Sequence, residues 1–426
     1  MHKYYLPKGI LLVIVALMLC ACYALPVAEP SSDIGALNAA VPGVTDDEIV
    51  LGAHTPLTGP LANFSQINQA ALAYFSYINE TENGIHGRQI TYLLEDDQYS
   101  PPLTEEVTQK LVEEIEVFAI VGGLGTPTHL AVVDYLEEQG VPDLFVIGGS
   151  TEWTKDPVAR PSVFGAVTHY AGEGAVLGRY LLDTYSGKKL GIIHQDTGFE
   201  AGIEALKRSI GDSLEIVAEE SYTVGPPDLS TQVSILHDAG TEVIVAFSAG
   251  PFFGSVVQQA RTTLNWDVPI LGPGPAMSGA VMVGAVAEGT VSVDWQRSLK
   301  ETEHQGIVNH LAIIDAYSDL ERATPETLFG QLIGEMTVEV LQRAGPELTR
   351  EGVIMAAESI QDWRCSICLY PINMSDTDHS PIDVAILSRF DGKAWIPFGD
   401  GYSWEGILPG ELSADNLQVV SSPYQD

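Results

Sequence analysis

Positive charge is what this chain has least of. Twenty Lys and Arg residues stand against 57 Asp and Glu, giving a net charge of −37 at pH 7 over 426 residues. Such a surface repels nucleic acid and anionic lipid heads, so no nucleic-acid partner is expected. Cysteine is nearly missing as well, with four in the chain. Two of them, Cys20 and Cys22, sit at the end of the N-terminal apolar run. The others form a Cys365-Ser-Ile-Cys368 pair without a second His or Cys pair to complete a zinc site, so no metal is expected. In an exported chain a local Cys365–Cys368 disulfide is the expected reading. Long hydrophobic runs are absent after the N-terminus, which argues against a spanning helix in the body. No GxSxG elbow, HExxH pair or GxxxxGK[ST] loop occurs. His54, His129, His169, His194 and His237 are scattered, and neither a catalyst nor a cofactor is expected. The adjacent acids Asp96 and Asp97 read as structuring a strand end rather than as an acid–base pair.

The N-terminus reads as a targeting segment. Lys3 and Lys8 precede the apolar run 9–20, which ends in Leu19-Cys20-Ala21-Cys22. The run suits a signal-peptide core and is short for a bilayer span. A small residue before Cys22 resembles a bacterial lipobox, so Cys22 is expected to carry lipid and to tether the protein to a membrane surface. Residues 23–46, with Pro26, Pro30, Ser31, Ser32, Gly35 and Pro42, read as a flexible link.

The body alternates strand and helix patterns. Strands are expected at 48–53, 89–95, 118–121, 144–147, 190–194, 215–222, 243–247, 268–271 and 290–295. Helical spacing falls between them, as at Ile67, Ala70, Ala71, Tyr74, Phe75 and Ile78. This order argues for βαβ units and parallel sheets in two sets. Longer helices are expected at 305–317 and 327–344, and a hairpin at 381–398 turning on Asp391-Gly392. Residues 406–426 read as an acidic, loosely held tail.

One turn stands out. The run 118–121 ends in Gly122-Gly123-Leu124-Gly125-Thr126-Pro127. Thr126 reads as a helix N-cap with Pro127 as the first helical residue. A helix start with free amides and a hydroxyl attracts a carboxylate or phosphate. The spacing fits neither dinucleotide nor P-loop fingerprints.

These stretches together carry a resemblance. IVLGAHTPLTGPLANF at 49–64, INETENGIHGRQITYLLEDDQYSP at 78–101 and FAIVGGLGTPTH at 118–129 resemble the type I solute-binding proteins of ABC transporters, in the branched-chain amino-acid-binding group. So do LGIIHQDTGFEAG at 190–202, VVQQARTTLNWDVPILGP at 256–273 and AEGTV at 287–291. The resemblance implies an α/β fold of two lobes, each a parallel sheet flanked by helices, joined by three hinge crossovers near 167–171, 289–295 and 360–372. It implies a first lobe of 47–168 plus 292–362, a second of 169–291 plus 363–405, and a tail from 406. It implies no cofactor, a monomer, a small-molecule ligand in the cleft and an ABC permease as partner.

The implied ligand contacts are Gly125 and Thr126 for a carboxylate, and Gly149 with Ser150 or Thr151 for an amino group. Phe64, Tyr170 and Phe199 are the implied pocket aromatics. Counting back from Gln259-Ala260-Arg261, the family's amine-binding glutamate falls on Phe252, with Phe253 beside it. A phenylalanine cannot pair an ammonium except through a cation–π contact. An apolar carboxylate or a small amide is therefore an option alongside a hydrophobic amino acid. The rival reading is a ligand-sensing receptor domain of the same fold. Such a domain would usually continue into a membrane span and a cytoplasmic module, and neither follows in this sequence.

Overall fold

A computed structural model describes residues 41–424. The signal segment, Cys22 and most of the expected link lie outside the described residues. Among the described residues no helix is long and apolar enough to cross a membrane.

Short apolar segments build two sheets. The first contains β1 (Glu48–Thr55), β2 (Gln89–Asp96), β3 (Ala119–Val121), β4 (Asp143–Val146) and β5 (Val163–Gly165), in the order β2-β1-β3-β4-β5. All its pairings are parallel, and β3, β4 and β5 are buried at every position. A parallel sheet covered by helices on both faces requires such unbroken apolar runs. The helices Gln66–Glu82 and Pro325–Ala344 cover one face. They approach closely because Gly330 and Gly334 leave room for the Ile67 carbonyl and the Tyr74 ring.

The second sheet adds β6 (Lys189–Gln195), β7 (Glu215–Tyr222), β8 (Val243–Phe247), β9 (Ile270–Gly272), β10 (Val291–Asp294), β11 (Val384–Phe390), β12 (Trp395–Ser403) and β13 (Gln418–Val420). Its order is β13-β12-β11-β10-β9-β8-β6-β7. The five strands β6 to β10 pair in parallel, and β11 to β13 extend the sheet antiparallel.

Three passages join the halves. Ala166 packs in the first core and Tyr170 in the second; Asp294 ends a second-sheet strand and Trp295 packs in the first core; Ile382 and Ala385 divide the same way. Two expectations are corrected here. The third passage lies at 382–385 rather than 360–372. Residues 363–382 stay on the first half because Cys365, Ile367, Ile372 and Met374 share its core, and His379 is tied to β5 at Val163 O and Gly165 N. The strand Val291–Asp294 belongs wholly to the second sheet, so the middle boundary falls after 294, not at 291. The tail is also better held than expected. Leu412 is buried, and β13 adds an edge strand to β12. Cys365 and Cys368 are joined by a disulfide.

Candidate functional site

The two sheets present the carboxyl ends of their strands to a shared cleft, the place where open α/β sheets hold ligands. Its first wall is the turn after β3. Gly125 adopts φ 103°, a left-handed-side conformation that favours glycine, and Thr128 Oγ1 locks the turn by donating to Leu124 O at 2.6 Å. Thr126 and Pro127 open the following helix, but the cap is Gly125 rather than Thr126. That helix, Thr126–Leu130, is five residues long. So short an element has little macrodipole, which removes most of the expected helix-end attraction for anions. What remains is the Thr126 hydroxyl. It is buried and makes no hydrogen bond of ordinary geometry, although the Tyr170 hydroxyl lies close enough to sense it.

Gly149 follows β4 and also lines the cleft, and its carbonyl accepts the Tyr170 N–H at 2.6 Å. Ser150 and Thr151 do not line it. Ser150 Oγ accepts the Glu152 N–H, and the Thr151 carbonyl accepts Lys155 N–H, because the chain turns away into a local loop. Phe64 and Tyr170 face the space, joined by Tyr99, Trp295 and Phe329. Three other expected aromatics are core. Phe199 packs behind Tyr170 at 4.3 Å and reaches Phe247. Phe252 stacks on Tyr222 at 4.8 Å, and Phe253 is fully buried in the same cluster. The residue that the motif count set at the amine position therefore does not reach the cleft.

Residues of both halves touch across the gap. A Cβ on Gly198 would stand 3.0 Å from Thr126, and one on Gly250 3.0 Å from the Phe64 ring. Tyr99 packs against both cores. This is a closed arrangement.

The acids of the cleft were not singled out from the sequence. Glu173, Asp294 and Glu326 line it. Glu173 accepts from Thr168 Oγ1 at 2.5 Å and Gly274 N–H at 2.8 Å. Asp294 accepts from Ser388 Oγ at 3.0 Å and from the N–H groups of Trp295 and Gln296. Burial pushes Glu173 up to about 7 and Asp294 up to about 6, against those hydrogen bonds. Burial likewise raises Glu326. One signal was available: Asp294 ends a strand of the parallel run, where α/β sheets hold ligands.

The periplasmic binding protein family model matches residues 48–394. The leucine-, isoleucine-, valine-, threonine- and alanine-binding protein of Pseudomonas aeruginosa is 24% identical over 230 residues, 53% of this chain and 60% of that protein. The chain spans about three fifths of the length of the curated relatives it matches first. A branched-chain amino-acid ABC transporter structure from Thermus thermophilus with bound valine superposes with TM-score 0.77 at 18% identity, covering 85% of this chain and 98% of that one. A fatty-acid ABC transporter substrate-binding protein from Thermomonospora curvata superposes with TM-score 0.75 at 22% identity, covering 88% and 96%. At these identities the structural likeness establishes fold alone. With two sheets facing one cleft and the family model matching most of its length, this chain belongs to the periplasmic binding protein family.

Proposed function

We propose that this protein is the extracytoplasmic capture subunit of an ABC importer. It takes up a small ligand between its lobes and hands it to a membrane permease. One observation carries the reading: a cleft at the strand ends of both sheets, lined by rings and closed over by residues of both halves. A ligand that touches both lobes favours the closed form by its differential contacts. The protein itself catalyses nothing in this reading.

The ligand has an apolar body among Phe64, Tyr170 and Trp295 and a polar end at Gly125 and Thr126. A hydrophobic amino acid fits, as does an aromatic or aliphatic acid or amide. The relatives that bind amino acids and fatty acids support a range of this kind. Export and lipid attachment through Cys22 complete the proposal.

Native mass spectrometry of gently purified protein tests it. A retained small molecule whose removal increases the radius of gyration is the expected result. Protein that holds no small molecule, and whose dimensions no candidate ligand changes, would overturn the reading.

A further inference from the structure

Beside the ligand cleft lies a second cavity that ligand capture does not use. The two share Met277, Asp294, Gln296 and Pro325 in their linings. The second differs in charge. Arg297, Lys300, Arg322 and Lys393 border it, four of the twenty Lys and Arg residues of a chain with net charge −37. Asp294 is the one acid among the described residues lining it. The four cations come from separate segments of both halves. Arg297 and Lys300 follow the second passage, Arg322 precedes the helix Pro325–Ala344, and Lys393 lies in the turn between β11 and β12.

Two of these charges are met. Arg297 pairs with Glu301 at 2.7 Å, and Lys300 pairs with Asp391 at 2.6 Å, an ion pair that itself spans the halves. Arg322 and Lys393 are exposed, and among the described residues neither side chain forms an ion pair or donates a hydrogen bond. A lone exposed cation is satisfied by water. Two in one concavity repel each other, and the apolar floor of Met277, Leu328 and Trp395 concentrates their field. Trp395 fixes that floor by donating from Nε1 to Met277 O at 3.1 Å. The amino end of the 20-residue helix Pro325–Ala344 reaches the same cavity at Thr324 and Pro325, and adds partial positive charge.

We infer that this second cavity binds a doubly charged oxyanion of the phosphate type, held by Arg322 from the first half and Lys393 from the second. A guanidinium presents paired donors to such oxygens, and an ammonium supplies a compact second charge. Because the two residues belong to different halves, the bound anion favours the closed form and acts as an effector of capture. The site goes beyond the capture reading, which enters only through that last effect.

Calorimetry on the ligand-stripped full chain tests the inference, with sodium phosphate, sodium sulfate and sodium chloride at pH 8 and equal ionic strength. Phosphate and sulfate are expected to bind at least tenfold more tightly than chloride. Arg322→Gln and Lys393→Gln should each weaken phosphate about tenfold, the loss of one charge-assisted hydrogen bond. Lys188→Gln removes an equal charge, beside Glu242 and just before β6, and should leave phosphate binding unchanged. Thermal melting of the variants without phosphate checks that they fold. Phosphate should also make the ligand-stripped wild type more compact in solution scattering, and K393Q should remove that change. If chloride matches phosphate, the effect is screening and the inference falls. It falls as well if either cavity variant binds phosphate as tightly as wild type, or if bound phosphate leaves the dimensions unchanged. None of these outcomes touches the capture reading, which the retained molecule judges separately.

Discussion

His54 Nε2 and His129 Nδ1 face each other at 3.1 Å, and neither ring touches solvent. The outer nitrogens bind Asp97 at 3.0 Å and Asp143 at 2.7 Å, so four side chains form one buried line beneath Gly123. Burial lowers His54 below the ordinary imidazole value, against its bond to Asp97. His129→Ala leaves Asp143 buried and unpaired, and urea titration should show a loss on the order of 3–5 kcal/mol.

Gly149 stands against the Tyr170 ring across the first passage between the halves. Its φ is not left-handed, so alanine is compatible with the backbone, but a methyl group there would displace the ring. Gly149→Ala should weaken the retained ligand at least tenfold and leave ligand-saturated protein more extended in solution scattering. Wild-type dimensions with wild-type affinity would count against the contact as a closure determinant.

The Thr126 hydroxyl is the one polar side-chain group on the β3 turn without a bond of ordinary geometry. If the ligand's polar end sits there, Thr126→Ala removes a hydrogen bond worth about 0.5–1.5 kcal/mol to a neutral group and about 1.5–3 to a charged one. Calorimetry with the retained ligand reads which, and an unchanged affinity would move the polar end elsewhere.

Glu173 makes stability pH-dependent with a definite sign. Its folded value, about 7, lies above the ordinary 4.5, so its favourable contribution is complete below pH 4.5 and disappears as pH rises through 7. The full span corresponds to about 3 kcal/mol. Ligand-free wild type should lose stability relative to E173Q across this window. Parallel melting curves from pH 4.5 to 8 would contradict the assignment.

The Cys365–Cys368 bond closes a very short loop. On the chain-entropy account, its reduction should cost about 2 kcal/mol in denaturant unfolding. A loss near zero would mean that packing alone fixes this segment.

Much of the architecture was legible because it rests on periodicity. The strands Glu215–Tyr222 and Val243–Phe247 and the helix Gln305–Tyr317 have the bounds their patterns suggest. Local chemistry was read less well. Thr126 looked like a cap, yet Gly125 holds that place and Thr126 is the first helical residue. Two helices run on into a wider final turn, closed by Ile115 N–H to Lys110 O and Leu264 N–H to Gln259 O, which no residue pattern announces.

The cleft was read in part. Phe64, Gly125, Thr126, Gly149 and Tyr170 come together, but Phe252 and Phe199 are aromatic at positions where the fold needs core. A side chain's facing direction in a helix start depends on the tilt of the whole element, and motif spacing does not carry that. The acids went unnoticed for a related reason: Glu173 lies in the first turn of a helix, where an acid is ordinary.

The late third passage has a consequence for biogenesis. The first half draws on residues as far as Ile382, and the second is not whole until β13 is laid down at 418–420. A chain made from its N-terminus therefore holds both halves unfinished, with both cores open to misassembly, until almost its last segment is in place.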